Sequence, residues 1–135
     1  VIKPGTKISA LVQNIDLAPT LMKVAGMTAP KSVHGLALQP ILSGKEPTFW
    51  RKDLLYQYFD GGTPDNRGPY NMPRHEGVRD QRYKLISFYE YGKWEFYDLK
   101  NDPTEVRNAI DDPSMKPQID RLKKRLNELK AYYSL

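Results

Sequence analysis

Near the end of the chain Ile119, Leu122, Leu126, Leu129 and Tyr133 follow one another at spacings of 3, 4, 3 and 4. That spacing lies on one face of an α-helix, and a helix with a single apolar stripe must bury it against another element. The candidate partner is a run of short segments with strand composition: "LLYQYF" from Leu54 to Phe59, then "EGVRD", "YKLISFY" and "WEFYDL". Tight turns around Asp80 to Arg82 and Glu90 to Lys93 join the last three. The expected fold class is therefore α+β, a small antiparallel sheet of about four strands covered by a C-terminal amphipathic helix. Asp112 or Ser114 caps that helix in this reading, and Pro117 suits its first turn. Asp120 with Lys124 and Lys124 with Glu128 are the expected i,i+4 pairs on its outer side. The 3-4 pattern lasts about two heptads, too short for a coiled coil.

The first part of the chain reads differently. Leu11 to Ile15 is an apolar strand candidate, and a helix starts at Asp16 as N-cap, with Pro19 in its first turn. Leu17, Leu21 and Val24 recur on one face, and Gly26 ends the helix. A connector follows with one helical turn around Leu38 to Leu42, bounded by Pro30, Gly35, Gly44 and Pro47. Between the first strand of the sheet and "EGVRD", the Gly/Pro/Asn-rich Asp60 to Pro73 reads as a long irregular loop, the kind that more often carries function than idles.

Composition bounds the chemistry. At 135 residues the chain suffices for one domain, and its start at Val1 reads as a piece of something longer. It contains no cysteine, which excludes disulfides, cysteine zinc sites and a cysteine nucleophile within it. No apolar run approaches the roughly 20 residues of a membrane helix. The formal charge of +5 leans weakly toward anionic partners, although a solvated surface of mixed sign accounts for it as well.

His34 and His75 are the only histidines and lie 41 positions apart, so no two-histidine metal motif exists. Asp98, Asp102 and Glu105 lack the spacing of a calcium loop and read as a turn in which Asp102 caps a short helical turn with Glu105 three residues on. No serine stands in a nucleophile elbow. The aromatics from Tyr56 to Tyr97 interleave with basic residues, yet Glu76, Asp80, Glu90 and Glu95 interrupt any basic groove, which argues against nucleic acid.

Four segments, in order, resemble the C-terminal end of a type I sulfatase of the alkaline-phosphatase-like superfamily. "NIDLAPTLMKVAGM" is similar to that family's Asp-x-x-Pro-Thr-Leu segment and "HGLALQPILSG" to its Gly-x-Ser-Leu-x-Pro-Leu-Leu-x-Gly. "GVRDQRYKLI" resembles Val-Arg-Thr-x-Arg-Tyr-Lys-Leu-Ile, and "EFYDLKNDPTEVRN" resembles Leu-Tyr-Asp-Leu-x-x-Asp-Pro-x-Glu-x-x-Asn. Ala37 and Asp80 stand where Ser and Thr are common. The run "RHEGVRDQRYKLISFYEYGKWEFYDL" looks closest to bacterial mucin-desulfating, N-acetylglucosamine-6-sulfatase-type members.

The resemblance implies a parent with a catalytic N-terminal α/β domain, a formylglycine nucleophile and calcium, neither held by this chain. It implies a sulfated glycan substrate and a periplasmic or extracellular setting. Residues 1–50 would be the tail end of the catalytic domain, with apolar faces left exposed here, and 51–135 the C-terminal subdomain. Alone the chain is expected to be inactive. Arg74 and His75 are the expected substrate-binding residues: Arg74 through a bidentate contact to a sulfate or carboxylate, His75 through a hydrogen bond to a sugar hydroxyl or acetamido group. In this reading Gly77 turns the backbone into the following strand. Arg79 and Arg82 are expected to be structural, paired with Asp80 or Glu76. The alternative is a non-catalytic glycan-binding or protein-interaction module.

Overall fold

The structure, a computed structural model, describes residues 2, 4–43, 47, 49–60 and 72–135. They fall into two compact units that divide between Lys52 and Asp53.

In the first unit, a 3-10 turn at Asn14–Asp16 leads into α1 (Leu17–Val24), and α2 is the four-residue Gln39–Leu42. The expected strand at Leu11 to Ile15 does not form. Leu11 to Gln13 have no ladder partner among the described residues, although the Gln13 backbone is extended at φ −132 and ψ 159. Two of the polar groups such a strand would offer a ladder go to side chains instead. The Leu11 carbonyl accepts from Trp50 Nε1 at 2.8 Å, and the Gln13 N–H donates to Asp16 Oδ2 at 2.8 Å.

Asp16 is likewise not a side-chain cap of α1. Its fully buried carboxylate accepts no bond from the first turn of the helix. It takes the N–H groups of Gln13 and Leu36, at 2.8 Å each, and a two-pronged contact from Arg51, Nη1 at 2.5 Å and Nη2 at 2.6 Å. Thr20 extends this tie: its hydroxyl accepts the Leu38 N–H at 2.9 Å and its carbonyl accepts from Gln39 Nε2 at 2.8 Å. Past α1, Gly26 sits at φ 74 while the Met27 N–H reaches back to the Met22 carbonyl, a left-handed C-cap as expected. The apolar stripe of α1 faces solvent, with Leu17, Leu21 and Val24 exposed by 57%, 68% and 74%.

The second unit is an antiparallel sheet in the order β1 (Asp53–Tyr58), β2 (His75–Asp80), β3 (Tyr83–Phe88), β4 (Lys93–Asp98), followed by α3 (Lys116–Tyr133). This is the fold class read from the sequence, with strand limits shifted by about one residue. The register aligns Leu55, Val78, Leu85 and Phe96 in one row across the sheet. That row and the stripe Ile119, Leu122, Leu126 and Leu129 form one buried core. β4 is an edge strand, and Asn108 covers part of it: its Oδ1 accepts the Phe96 N–H at 3.0 Å and its Nδ2 donates to the Trp94 carbonyl at 3.2 Å.

Several ion pairs differ from expectation. Arg82 grips Asp98, Nε at 3.1 Å and Nη2 at 2.9 Å, rather than Asp80 or Glu76. Those two carboxylates lie on the α3 side of β2, and α3 supplies their cations: Arg121 to Asp80 at 2.6 Å and Lys130 to Glu76 at 2.7 Å. Along α3, Asp120 pairs backward with Lys116 at 3.0 Å rather than with Lys124, while Lys124 stands 3.9 Å from Glu128 as expected. Asp112 caps the 3-10 turn Pro113–Met115 that precedes α3, accepting the Ser114 N–H at 3.0 Å. No helical turn forms after Asp102. Its carboxylate accepts the N–H groups of Val106 and Arg107 across a turn, Glu105 takes φ 56, and the Glu105 carboxylate pairs with Lys84 at 2.6 Å.

Gly77 lies inside β2 rather than at a bend. A methyl group there would strike the Tyr56 ring and the Leu85 carbonyl, because Tyr56 lies across the glycine on the sheet face away from α3. Gly77→Ala is therefore expected to destabilise the second unit by about 1 to 3 kcal/mol through overpacking. A urea titration showing less than about 0.5 kcal/mol would mean that Tyr56 moves aside freely.

Candidate functional site

β2 begins at His75, and the register sets His75 opposite Tyr58 at the end of β1. Glu76 pairs with Ser87, so Phe88 reaches the same end of the sheet from the other side. The His75 ring is held among three aromatics: Tyr58 stacked at 5.4 Å and 24°, Phe88 tilted at 5.4 Å, and Tyr56 edge-on at 6.2 Å. His75 Nδ1 lies 2.9 Å from the Pro73 carbonyl. A carbonyl only accepts, so Nδ1 carries a proton, and in the neutral ring Nε2 is then a hydrogen-bond acceptor. The side chain is half-buried with its plane fixed by stacking, which suits recognition of a donor such as a hydroxyl or an amide N–H.

Arg74, one residue earlier, turns toward the β3–β4 connection. Its Nε donates to the Phe59 carbonyl at 3.0 Å, and its Nη1 stands 3.3 Å from Glu90 Oε1. The side chain stays 41% exposed, so the guanidinium meets solvent while tethered at two points. Beside it Tyr89 has its phenol pushed above the ordinary 10.0, by burial first and by the Glu90 carboxylate second. Burial, reinforced by Glu105 and Glu95, likewise raises Tyr56. Both phenols remain protonated at neutral pH and act as neutral hydroxyls.

The two residues singled out in the sequence thus stand side by side at one end of the sheet. The loop expected to deliver them falls, over 61–71, outside the described residues. His34 belongs to the first unit. Glu90, Tyr58 and Phe88 were not singled out. Phe88 was accessible in principle, because a tight β2–β3 turn fixes which residue of β3 meets the start of β2. Tyr58 was not, because a long loop leaves the β1 register undetermined.

A groove of about 760 Å³ runs along β4 beside the start of α3, lined among others by Trp94, Asn108, Asp112, Asp120 and Lys123. Much of its functionality is already engaged within the chain. Lys123 Nζ sits 4.8 Å from the Trp94 ring centre, Asp120 pairs with Lys116 and Asp112 with Ser114. Among the described residues no group of three or more histidines or carboxylates is arranged to hold a metal ion, and none of their helices is long and apolar enough to cross a membrane.

Comparison with known proteins gives a consistent picture. Residues 1–132 match the family model described as N-sulphoglucosamine sulphohydrolase, C-terminal. An N-acetylglucosamine-6-O-sulfatase of Bacteroides thetaiotaomicron is 36% identical over 135 residues, covering 98% of this chain and 23% of that protein. The human N-acetylglucosamine-6-sulfatase is 43% identical over 58 residues, which is 42% of this chain and 10% of that protein. Among solved structures, BT4656 in complex with its substrate D-glucosamine-2-N,6-O-disulfate superposes with a TM-score of 0.87 at 35% identity, over 98% of this chain and 26% of that one. A phosphonate monoester hydrolase from Silicibacter pomeroyi gives 0.82 at 26% identity, over 98% of this chain and 27% of that one. The chain spans about a quarter of the length of the relatives it matches end to end.

Proposed function

The chain belongs to the N-sulphoglucosamine sulphohydrolase C-terminal family, and from that premise we propose that its parent is a sulfatase, a sulfuric ester hydrolase acting on sulfated glycans, to which this chain contributes a substrate-binding edge. The observation that carries the reading is the match to sulfatases over nearly the whole chain, in sequence and in fold. The chemistry of the chain sets its share of the work. Sulfuryl transfer needs a nucleophile and concentrated positive charge around the departing group. A formylglycine arises from cysteine, or from serine in Ser-x-Pro-Ser-Arg, and the chain has neither a cysteine nor that motif. Its described carboxylates form no metal cluster. The described residues do not fit calcium and the sequence holds no formylglycine precursor motif, so in this proposal both belong to the remainder of the parent.

In this proposal residues 1–50 are the tail of the catalytic α/β domain, and the exposed stripe Leu17, Leu21 and Val24 packs against the rest of that domain. Residues 51–135 are the C-terminal subdomain, presenting Arg74 and His75 to the sugar. His75 Nε2 accepts a hydrogen bond from a sugar hydroxyl or an acetamido N–H, and Arg74 donates to a sulfate or carboxylate. Should the parent lack Cys-x-Pro-Ser-Arg or its serine form, the enzyme reading fails and a glycan-binding or protein-interaction module takes its place.

The test is His75→Ala in the intact parent. For 6-O-sulfated N-acetylglucosamine, kcat/KM is expected to fall about 10-fold or more, equivalent to roughly 1.4 kcal/mol of lost recognition. A small aryl sulfate, which has no sugar to recognise, should be nearly unaffected. Equal losses on both substrates would place His75 in support of the fold or the catalytic centre and end the sugar-recognition assignment.

A further inference from the structure

Seven arginine–carboxylate pairs lie among the described residues. Arg51 with Asp16, Arg82 with Asp98 and Arg125 with Asp53 each make two contacts, one to each carboxylate oxygen, at 2.5 to 3.1 Å. Such forks satisfy both carboxylate oxygens at once. Arg121 with Asp80, Arg125 with Glu128 and Arg107 with Asp112 make one contact each, at 2.6, 3.0 and 3.7 Å. There, however, the second oxygen faces another donor, the Arg82 and Tyr83 N–H groups, Lys124 and Ser114 respectively. Arg74 with Glu90 departs from this pattern. It has a single contact at 3.3 Å, Glu90 Oε2 is buried with no hydrogen-bond donor among the described residues, and the side chain is only 19% exposed. The hydroxyl of the next residue, Tyr91, is also buried without a partner there. A carboxylate enclosed in this way weakens the fold relative to a neutral side chain of the same size. Stability therefore does not account for a glutamate at this position.

Its effect on Arg74 does account for it. The Phe59 carbonyl holds Nε and Glu90 holds Nη1, so the guanidinium plane is fixed from two directions while Nη2 is uncommitted among the described residues. A long side chain that is ordered before its ligand arrives loses less entropy on binding. We infer that Glu90 is a positioning residue of the sugar-binding edge, acting through Arg74 by presetting its guanidinium for an anionic or carbonyl oxygen of the substrate. This rests on the proposed reading that Arg74 faces the substrate.

The experiment uses the intact parent with 6-O-sulfated N-acetylglucosamine as substrate and compares Arg74→Ala, Glu90→Ala, Glu90→Gln, Glu90→Asp and the double Arg74→Ala/Glu90→Ala. Glu90→Ala is expected to raise KM about 10-fold while kcat changes less than about two-fold, the split of a residue that orients a binding group. Glu90→Gln, which retains an acceptor for Nη1, should recover most of the loss. Glu90→Asp, which withdraws the acceptor by one carbon, should not, and it carries the test if Glu90→Ala does not fold. The double variant should be no worse than Arg74→Ala alone, since both changes remove the same interaction. Additive losses, or an unchanged KM in Glu90→Ala and Glu90→Asp beside a raised KM in Arg74→Ala, would overturn the role of Glu90 and leave the substrate-facing reading standing. An unchanged KM in Arg74→Ala would remove that reading for Arg74, and the inference with it.

Discussion

Replacing Asp16 by alanine is expected to destabilise the first unit by about 3 to 5 kcal/mol, the range for removing one partner of a buried ion pair. The carboxylate has no exposed surface, and the Arg51 side chain is only 11% exposed. The substitution leaves a guanidinium enclosed without its counter-ion and strips the Gln13 and Leu36 N–H groups of their acceptor. Trp50 lies beside this pair, with the Arg51 guanidinium carbon 5.6 Å from its ring centre, so its emission in a Trp94→Phe background follows the loss during denaturant unfolding. Burial pushes the Asp16 carboxyl up, but Arg51 and the two N–H groups outweigh burial and hold it below its ordinary 3.8. The native state thus binds the proton less tightly than the unfolded chain. The stabilisation is complete above about pH 3.8 and is lost as pH falls through the lower native value. A loss below about 1 kcal/mol, or stability that does not decline through this acid range, would show that Arg51 finds another acceptor.

Asp16 also marks where sequence reasoning stops. An aspartate immediately before Leu17, with a proline three residues on in the first turn, carries the local signature of an N-cap, and locally nothing distinguishes that from a buried hub. What distinguishes them is Arg51, 35 residues away. The same limit applies to Glu76 and Asp80, whose partners Lys130 and Arg121 stand 54 and 41 residues further on. Features with a short-range cause were legible. The 3-4 stripe of α3 defines its own face, and strand composition with tight turns places β2, β3 and β4 in order. The strand expected at Leu11 to Ile15 shows the converse: apolar composition signals extended chain, but a strand exists only where a neighbour accepts its ladder bonds. At the candidate site, the long loop read in the sequence before Arg74 and His75 and the family resemblance together single these two residues out, and the structure sets them side by side at one end of the sheet. The contact of Glu90 with Arg74 was not legible, because it depends on a turn brought against Arg74 by the register of the sheet.

Truncating Leu126 to alanine is the corresponding experiment on the second unit, with an expected cost of about 2 to 5 kcal/mol. Leu126 is 1% exposed and belongs to the same core as Leu55, Val78, Leu85 and Phe96, one residue from each strand. Its removal therefore opens a cavity in the core between α3 and the sheet, whose strands are held by ladder hydrogen bonds and collapse only slightly into the space. Leu122 and Leu129 flank it on the stripe, so α3 keeps its register and the loss reports packing rather than undocking. Asn127→Ala, on the exposed side of the same turn, is the control and should stay within about 0.5 kcal/mol. Urea unfolding followed by Trp94 emission in a Trp50→Phe background separates the two, since Trp94 packs against this core. If Leu126→Ala costs no more than the control, the apolar stripe does not close the sheet, and the α+β core argued from its spacing is wrong.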